Sequence, residues 1–384
     1  MKPLISIIMT VYNNEKYFPI AVNNILKQDF ENWELIIVDD GSTDKTSQIA
    51  DELARKDQRI KVIHQSNQWV YAALNNGIAE AAGEYIFVHN SDDTIRQGSL
   101  KILADRIETY HPDVIWTHIL YHICDSEQNI IEYDYTHFEN LIPEEYVCKT
   151  KIEVENNWLN FWKNYFSTNQ VNLYKASVMK KYKFREDMFC SDAMFNTDIA
   201  DEIQVAIVLD VPIYDCYRYQ VDDMNASVGK WYANEHEMYN LMYLGFRELY
   251  LKWNRPKEEA IDYWNDWRIK KISEELYRLA FLCNSLSVDE KIRLVLNDYV
   301  DDVLMKCAKE SGREAEVHRR ILAGCRNILK DSEGIKDKDL CFVQRLVDAF
   351  SEYEKGNAYT IEEVDVTNKL NLYQIGVFLI RGNK

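Results

Sequence analysis

The sequence predicts an α/β fold, with a mostly parallel central sheet flanked by helices and an all-helical region after it. Short runs rich in Ile and Val recur through the first third of the chain, and amphipathic segments separate them. Beyond about residue 231, apolar residues follow the three-and-four spacing of helices instead. Alternation of strands and helices implies crossover connections and therefore parallel strands.

The expected strands are continuous apolar runs bounded by polar residues, as buried parallel strands are. They cover residues 5–11, 33–38, 60–63, 85–88 and 114–116. The first helix is expected around 17–25. Ser42 or Thr43 is a plausible N-cap for the second, and the third runs from about 72 to 82 and stops at Gly83.

The remaining chain divides by pattern into a less regular middle and a helical end. A strand is expected over 205–219, and the run 372–380 fits a strand or a short helix. Helices are expected over 235–253, 257–283, 288–309, 314–330 and 338–353. These patterns predict an N-terminal half-domain over 1–105, a second half over 106–230 and a helical domain over 231–384.

Charge and cysteine content restrict the class of protein. The net charge is −18, which argues against a general nucleic-acid binder because phosphate contacts need a basic surface. The eight cysteines contain no CxxC pair, so free thiols in a reducing compartment are expected. No apolar run reaches the length of a membrane span. We expect a cytoplasmic protein that contacts a membrane, if at all, peripherally at its inner face.

The chemistry is expected where the strands end, because open parallel sheets bind ligands at the carboxyl ends of their strands. Thr10 and Tyr12 close the first strand, with no GxGxxG motif there and no GxxxxGK[ST] motif anywhere. Asp39 and Asp40 close the second, and Gly41 permits a tight turn. Such carboxylates can accept hydrogen bonds from a ribose hydroxyl or a base N–H. The same residues also fit a solvated turn.

A second acidic pair, Asp92 and Asp93, follows the fourth strand. Carboxylates are the hard oxygen ligands that Mg²⁺ or Mn²⁺ prefers, usually together with substrate phosphates. Either pair alone is a weak signal. Two pairs at neighbouring strand ends of one sheet indicate a nucleotide and metal site.

Four ordered blocks resemble the family 2 inverting glycosyltransferases, which have the GT-A fold. They are the segments 6–13, 38–44, 75–86 and 91–93. The resemblance is strong over 4–105 and weak to about 230. It implies that Thr10 and Tyr12 line a nucleotide pocket and that Asp40 contacts uracil. It also implies that Asp92 and Asp93 form the DxD element, with Asp93 as the direct ligand of Mn²⁺ or Mg²⁺.

Two positions depart from the family pattern. Asn90 stands where the family commonly has a carboxylate, and Leu74 stands where it often has an Arg. Both changes leave open how the diphosphate is paired. Further along, Arg218 resembles a residue of the segment that closes over the diphosphate, and its guanidinium offers paired donors. An ordinary surface ion pair explains Arg218 equally well.

The catalytic base of the family lies in a Glu-Asp pair with aromatic and apolar neighbours. Here Ser191-Asp192 matches that spacing, with Ser191 replacing Glu, so Asp192 is the expected base. Glu186-Asp187 is an intact pair five residues earlier and stays an alternative, as does a simple helix cap.

The resemblance implies a metal-dependent inverting transfer from a nucleotide-diphosphate sugar, expected to be a UDP-sugar. The acceptor would be a hydroxyl of a glycan, lipid-linked glycan or glycoconjugate, as in bacterial surface polysaccharide synthesis. The QxxRW motif of processive synthases is absent, which favours limited addition. Two alternatives remain: a catalytically silent nucleotide-sugar-binding or scaffold protein, and an interaction module built on the helical region. Whether the chain forms a homo-oligomer is left open.

Overall fold

A computed structural model describes residues 2–125, 129–134, 144–165, 171–188, 190–219, 231–254, 257–299 and 302–330. The chain divides into two compact units, Met1–Ala226 and Ser227–Lys384. The first unit contains a mixed sheet with helices. The second unit is helical throughout its described residues.

Ten strands form one sheet in the described part of the first unit. They are β1 (Ile5–Val11), β2 (Trp33–Asp39), β3 (Ile60–His64), β4 (Tyr85–Asn90), β5 (Thr94–Ile95), β6 (Val114–Cys124), β7 (Ile130–Asp134), β8 (Tyr146–Cys148), β9 (Leu173–Lys175) and β10 (Ala206–Tyr219). Their order is β3-β2-β1-β4-β9-β6-β10-β5, and β7 and β8 pair with β6 and β10 respectively.

The helices of the first unit are α1 (Phe18–Leu26), α2 (Thr46–Lys56), α3 (Val70–Glu80), α4 (Ser99–Tyr110), α5 (Lys151–Tyr165), α6 (Ala176–Met179) and α7 (Ser191–Ile199). The strands β1 to β4 are rich in Ile, Val and Leu, and β1, β2 and β4 are almost wholly buried. Helix α3 approaches β1 closely at Gly77, where a Cβ atom would lie 2.6 Å from Cγ2 of Ile8. Any larger residue there would push α3 away from the sheet.

Strand register fixes which residues share the carboxyl edge of the sheet. In the parallel pairs of β1 with β2 and β4, Thr10 lies opposite both Val38 and Asn90. The residues that follow these three positions therefore emerge side by side. The edge continues to β10, whose Tyr214 and Asp215 pair antiparallel with β5 directly after the second acidic pair.

The predicted α/β class is confirmed, with several corrections of detail. The sheet is mixed, because β9 runs antiparallel between β4 and β6. The strand expected over 114–116 continues to Cys124, where it pairs with β10 and β7. Helix α2 begins at Thr46 with Lys45 as its N-cap residue, so the expected caps Ser42 and Thr43 are wrong. Both residues form hydrogen bonds with Asn13, in the loop after β1, instead.

The helices of the second unit are α8 (Glu235–Lys252), α9 (Lys257–Phe281), α10 (Val288–Asp298), α11 (Asp302–Glu310) and α12 (Glu314–Lys330). The single helix expected over 288–309 is thus two helices. A fully buried Arg268 joins α8 to α9 through Asn240 at 2.8 Å, and it also bonds Glu275 at 2.7 Å. The segments 338–353 and 372–380 lie outside the described residues. Among the described helices, none has both the length and the apolar character that crossing a bilayer demands.

Candidate active site

The loops after β1 and β2 are joined by hydrogen bonds at the sheet edge. Asn13 accepts the Thr43 N–H at 2.7 Å, and the Asn13 N–H donates to the Ser42 hydroxyl at 3.0 Å. Gly41 has φ +75°, and a Cβ there would lie 2.7 Å from the backbone nitrogen of Asn67. Thr10 is half-buried beside these loops, and Tyr12 is 49% exposed. Hydrogen bonds therefore order the backbone of these loops, and the ring of Tyr12 beside them is exposed.

Asp39 is buried and fully engaged with its own chain. It accepts the Ser42 N–H at 3.1 Å and bonds His64 Nδ1 at 2.9 Å and the Ser47 hydroxyl. Burial acts to raise the pKa of Asp39, but these bonds outweigh it and hold the pKa below its ordinary value. Asp39 is therefore ionised in the folded chain.

Asp40 lies beside Asp39 and is also buried. Its Oδ1 accepts hydrogen bonds from the Gln65 side chain at 2.8 Å and from the Gln68 N–H at 2.9 Å. Gln68 precedes the first turn of α3, so Asp40 connects the end of β2 to the start of that helix.

Asp93 has a different environment. It is 2% exposed, and its Oδ2 accepts the Tyr214 hydroxyl and the Asn90 amide, each at 3.0 Å. Its Oδ1 accepts the Tyr217 N–H at 3.1 Å. Burial and then the charge of Asp92 raise the pKa of Asp93 to about 7. Three donors thus do not offset the cost of placing two carboxylates together in a buried position.

Asp92 is the more accessible member of this pair. It is half-buried, and burial raises its pKa as well. The sequence favours Asp93 as the direct metal ligand, whereas the structure commits both oxygens of Asp93 to hydrogen bonds. The described residues contain no group of three or more His, Cys, Asp or Glu side chains that could hold a metal ion by themselves.

Asp192 lies in the first turn of α7 and is reached from α3 by Tyr71. The Tyr71 hydroxyl donates to Asp192 Oδ1 at 3.4 Å and accepts the Ser191 N–H at 3.1 Å. Burial raises the pKa of Asp192 to about 6, although the Ala193 N–H also donates to it. The Ser191 hydroxyl is buried beside it, without a hydrogen-bond partner among the described residues.

The alternative pair, Glu186 and Asp187, has other partners. Glu186 accepts the Asn75 amide at 3.0 Å. The Asp187 side chain is 67% exposed and forms a two-point ion pair with Arg185, which lowers the pKa of Asp187. Glu186 therefore also contacts α3, but neither residue is a hydrogen-bond partner of Tyr71 among the bonds described.

Arg218 lies near the second acidic pair. Its guanidinium stands 3.8 Å from the centre of the Tyr121 ring. The half-buried Cys216 thiol has a raised pKa because of desolvation and of the charges of Asp93 and Asp92, which Arg218 partly offsets. Arg218 and the acidic pair therefore act on the same thiol.

The structure thus brings Thr10, Tyr12 and both acidic pairs to one sheet edge, and connects Asp192 to that edge through α3. Sequence reasoning missed three contributors: Tyr71, Tyr214 and His64. Each is a partner of a predicted carboxylate; Tyr71 and His64 belong to no motif, and the sequence assigns Tyr214 only to the segment that resembles the one closing over the diphosphate. The only available signal was the polar or aromatic character of residues flanking the strand ends.

An α/β domain with acidic residues at these strand ends is the architecture of nucleotide-sugar transferases of the GT-A fold. Residues 6–184 match the family model described as Glycosyl transferase family 2. The match covers somewhat less than half of the chain, so this N-terminal region is similar to that family.

Curated relatives of this region are named glycosyltransferases. The chain is 33% identical over 199 residues to the glycosyltransferase GlyG of Streptococcus pneumoniae serotype 4, covering 52% of this chain and 64% of that protein. It is 41% identical over 131 residues to an uncharacterized glycosyltransferase of Haemophilus influenzae, covering 34% and 52%. The chain therefore spans less than two thirds of the length of these relatives.

A solved structure shows the same fold over most of the chain. TarS residues 1–349 from S. aureus, in complex with UDP-GlcNAc, superpose with a TM-score of 0.61 at 19% identity. The superposition covers 94% of this chain and 95% of that one. The GT-A assignment is therefore confirmed.

Proposed function

We propose that the chain is a metal-dependent inverting glycosyltransferase that moves a sugar from a UDP-sugar to an acceptor hydroxyl. One observation carries the proposal. Asp192, a carboxylate with a pKa raised to about 6, is tied through Tyr71 to the helix whose entry segment binds Asp40 at the acidic sheet edge. The expected base on α7 and the donor end after β2 are thus both connected to α3.

The acidic pair after β4 fits a divalent cation. Mg²⁺ and Mn²⁺ are commonly held by one or two carboxylates together with substrate phosphates, so the lack of a three-residue cluster among the described residues is no obstacle. Asp92 would be the direct ligand because it is the more accessible carboxylate, and Asp93 would hold the loop through Tyr214 and Tyr217. The bound cation would neutralise charge on the departing diphosphate.

The donor nucleotide would lie along the ends of β1 and β2. Thr10 and Tyr12 would line its pocket, and Asp39 and Asp40 would fix the loops against which the base and ribose rest. Arg218 would pair with the diphosphate, since its guanidinium offers paired donors and it follows the β10 residues that bind Asp93.

Asp192 would act as the general base. Its ionised oxygen takes the proton of the acceptor hydroxyl as that oxygen attacks the anomeric carbon, and the bond to the UDP oxygen breaks. A single displacement of this kind inverts the anomeric configuration. With a pKa of about 6, Asp192 is mostly ionised at pH 7 yet more basic than an ordinary aspartate.

The relatives guide the choice of substrate. TarS was solved with UDP-GlcNAc, and the curated relatives are bacterial glycosyltransferases, so UDP-GlcNAc is the first donor to test. The acceptor would be a glycan, lipid-linked glycan or glycoconjugate of a bacterial surface polysaccharide. The protein would work in the cytoplasm, at the inner face of the membrane.

Nucleotide release tests the proposal directly. The protein is incubated with Mn²⁺ and a panel of UDP-, GDP- and TDP-sugars, and free nucleotide is measured with and without EDTA. We expect release from a UDP-sugar that EDTA abolishes. Binding without release from any donor, with or without candidate acceptors, would instead support the silent sugar-nucleotide-binding protein, for which the amide of Asn90 at the metal loop is the structural argument.

A further inference from the structure

Trp69 has an unusual backbone conformation for a residue with a side chain. It directly precedes α3, with φ +74° and ψ 165°. That region of conformational space is populated almost only by glycine, because a Cβ atom clashes with the neighbouring backbone there. Glycine at position 69 would therefore adopt this backbone conformation at a lower energetic cost than tryptophan does.

Burial of the indole does not offset the cost of this backbone conformation. The Trp69 side chain is 44% exposed, whereas the large aromatic residues of the core, such as Trp116 and Trp158, are almost completely buried. Its ring approaches Tyr71 edge-on, with 6.1 Å between the ring centres. A strained backbone carrying a half-exposed indole indicates a use outside folding.

The neighbours of Trp69 bracket it within the proposed site. The residue before it, Gln68, donates its N–H to Asp40 at the nucleotide end. Two residues after it, Tyr71 contacts Asp192 at the transfer end. A donor whose nucleotide lies near Asp40 and whose anomeric carbon lies near Asp192 must place its sugar between these two points.

We propose that Trp69 forms an aromatic platform for the ring of the transferred sugar and thereby selects which UDP-sugar is used. An indole face is apolar and matches the C–H face of a pyranose, while its N–H can meet a polar substituent. This inference rests on the proposed function. It adds a specificity residue that acts on the sugar and leaves the nucleotide untouched.

The test compares the affinities of UDP and UDP-GlcNAc by calorimetry in the presence of Mn²⁺. Trp69→Gly is expected to weaken UDP-GlcNAc about tenfold, equivalent to about 1.4 kcal/mol, and to leave UDP unchanged. Trp69→Phe, which keeps a ring, should retain most of the affinity. Because glycine suits the backbone, the melting temperature of Trp69→Gly should equal or exceed that of the wild type.

His111→Gly is the matched control, since His111 also has a positive φ of 46° but ends α4 away from the site. It should change neither affinity. Equal weakening of UDP and UDP-GlcNAc by Trp69→Gly would place the indole on the nucleotide and overturn the inference, as would no weakening at all. If the wild type binds no UDP-sugar, the proposed function itself is wrong, and the role proposed for Trp69 is then wrong too.

Discussion

The carboxylates at the two ends of the proposed site are held in opposite ways. At the nucleotide end, the bonds of Asp39 to Ser42, Ser47 and His64 keep its pKa below the ordinary value. At the transfer end, burial raises the pKa of Asp93 to about 7 and of Asp192 to about 6. Asp39 and Asp93 each accept three hydrogen bonds, yet their pKa values shift in opposite directions, because burial and the neighbouring charge of Asp92 outweigh the bonds of Asp93.

The opposite pKa shifts distinguish carboxylates that hold the loops in place from carboxylates that take part in the reaction. A carboxylate whose bonds are already made inside the chain fixes loops and changes little during a reaction. A buried carboxylate with a raised pKa stores unfavourable desolvation that a cation or a proton can relieve. The nucleotide end is therefore the prearranged half of the site, and the transfer end is the half that depends on metal and substrate.

The largest effect is expected for Asp192→Asn. Loss of the base should lower kcat about 10²–10⁴-fold while UDP-sugar affinity stays near that of the wild type, because general base catalysis contributes about that much. Sugar transfer with the donor identified above is the measurement.

Asp187→Asn is the matched control, because Asp187 is paired with Arg185 on the surface. Its rate should stay within about twofold of the wild type, as is usual for exposed ion pairs. If Asp187→Asn were the slow variant and Asp192→Asn the fast one, the base would be misassigned.

A smaller loss is expected for Asp92→Asn, on the order of 10²-fold, because the cation contributes a few kcal/mol to charge stabilisation. Mn²⁺ should raise the melting temperature of the wild type, since a ligand that binds only the folded state stabilises it. Asp92→Asn should lose that increase. Asp105→Asn, an exposed member of a surface pair with Lys101 on α4, should keep it. An undiminished increase in Asp92→Asn would exclude Asp92 as the ligand.

The pH dependence of kcat/KM should show a tenfold fall for each unit below the pKa of Asp192. That pKa is raised from 3.8 to about 6, and the group must be ionised to accept a proton, so kcat/KM rises with pH up to about 6 and then levels. The residual rate of Asp192→Asn should lack this limb. A wild-type profile that stays flat from pH 5 to 7 would contradict the role of Asp192.

Sequence reasoning reached the fold and the carboxylates because both follow local patterns. Buried parallel strands read as continuous Ile and Val runs. Asp39 and Asp40 directly follow Val38, and Asp92 and Asp93 come a few residues after Val88. The hydrogen-bond partners of those carboxylates could not be predicted from the sequence. Tyr71 meets Asp192 across 121 positions and Tyr214 meets Asp93 across the same separation, so only the folded sheet brings them together. The balance between Asp92 and Asp93 likewise depends on donors supplied by β10.

The smallest effect is expected for His64→Gln at the nucleotide end. The bond to Asp39 raises the pKa of His64 above 6.5, burial opposes this, and Asp51 adds to it through a 3.1 Å contact. A raised folded-state pKa adds stability that is complete below pH 6.5 and is lost as the pH rises through the folded value. His64 is 45% exposed, so screening limits the contribution to roughly 0–1 kcal/mol.

The melting temperatures of wild type and His64→Gln should therefore differ most near pH 5.5 and converge as the pH rises. A difference that grows with pH would mean that His64 binds Asp39 in its neutral form. The bonds that prearrange the nucleotide end would then not depend on the charge of His64.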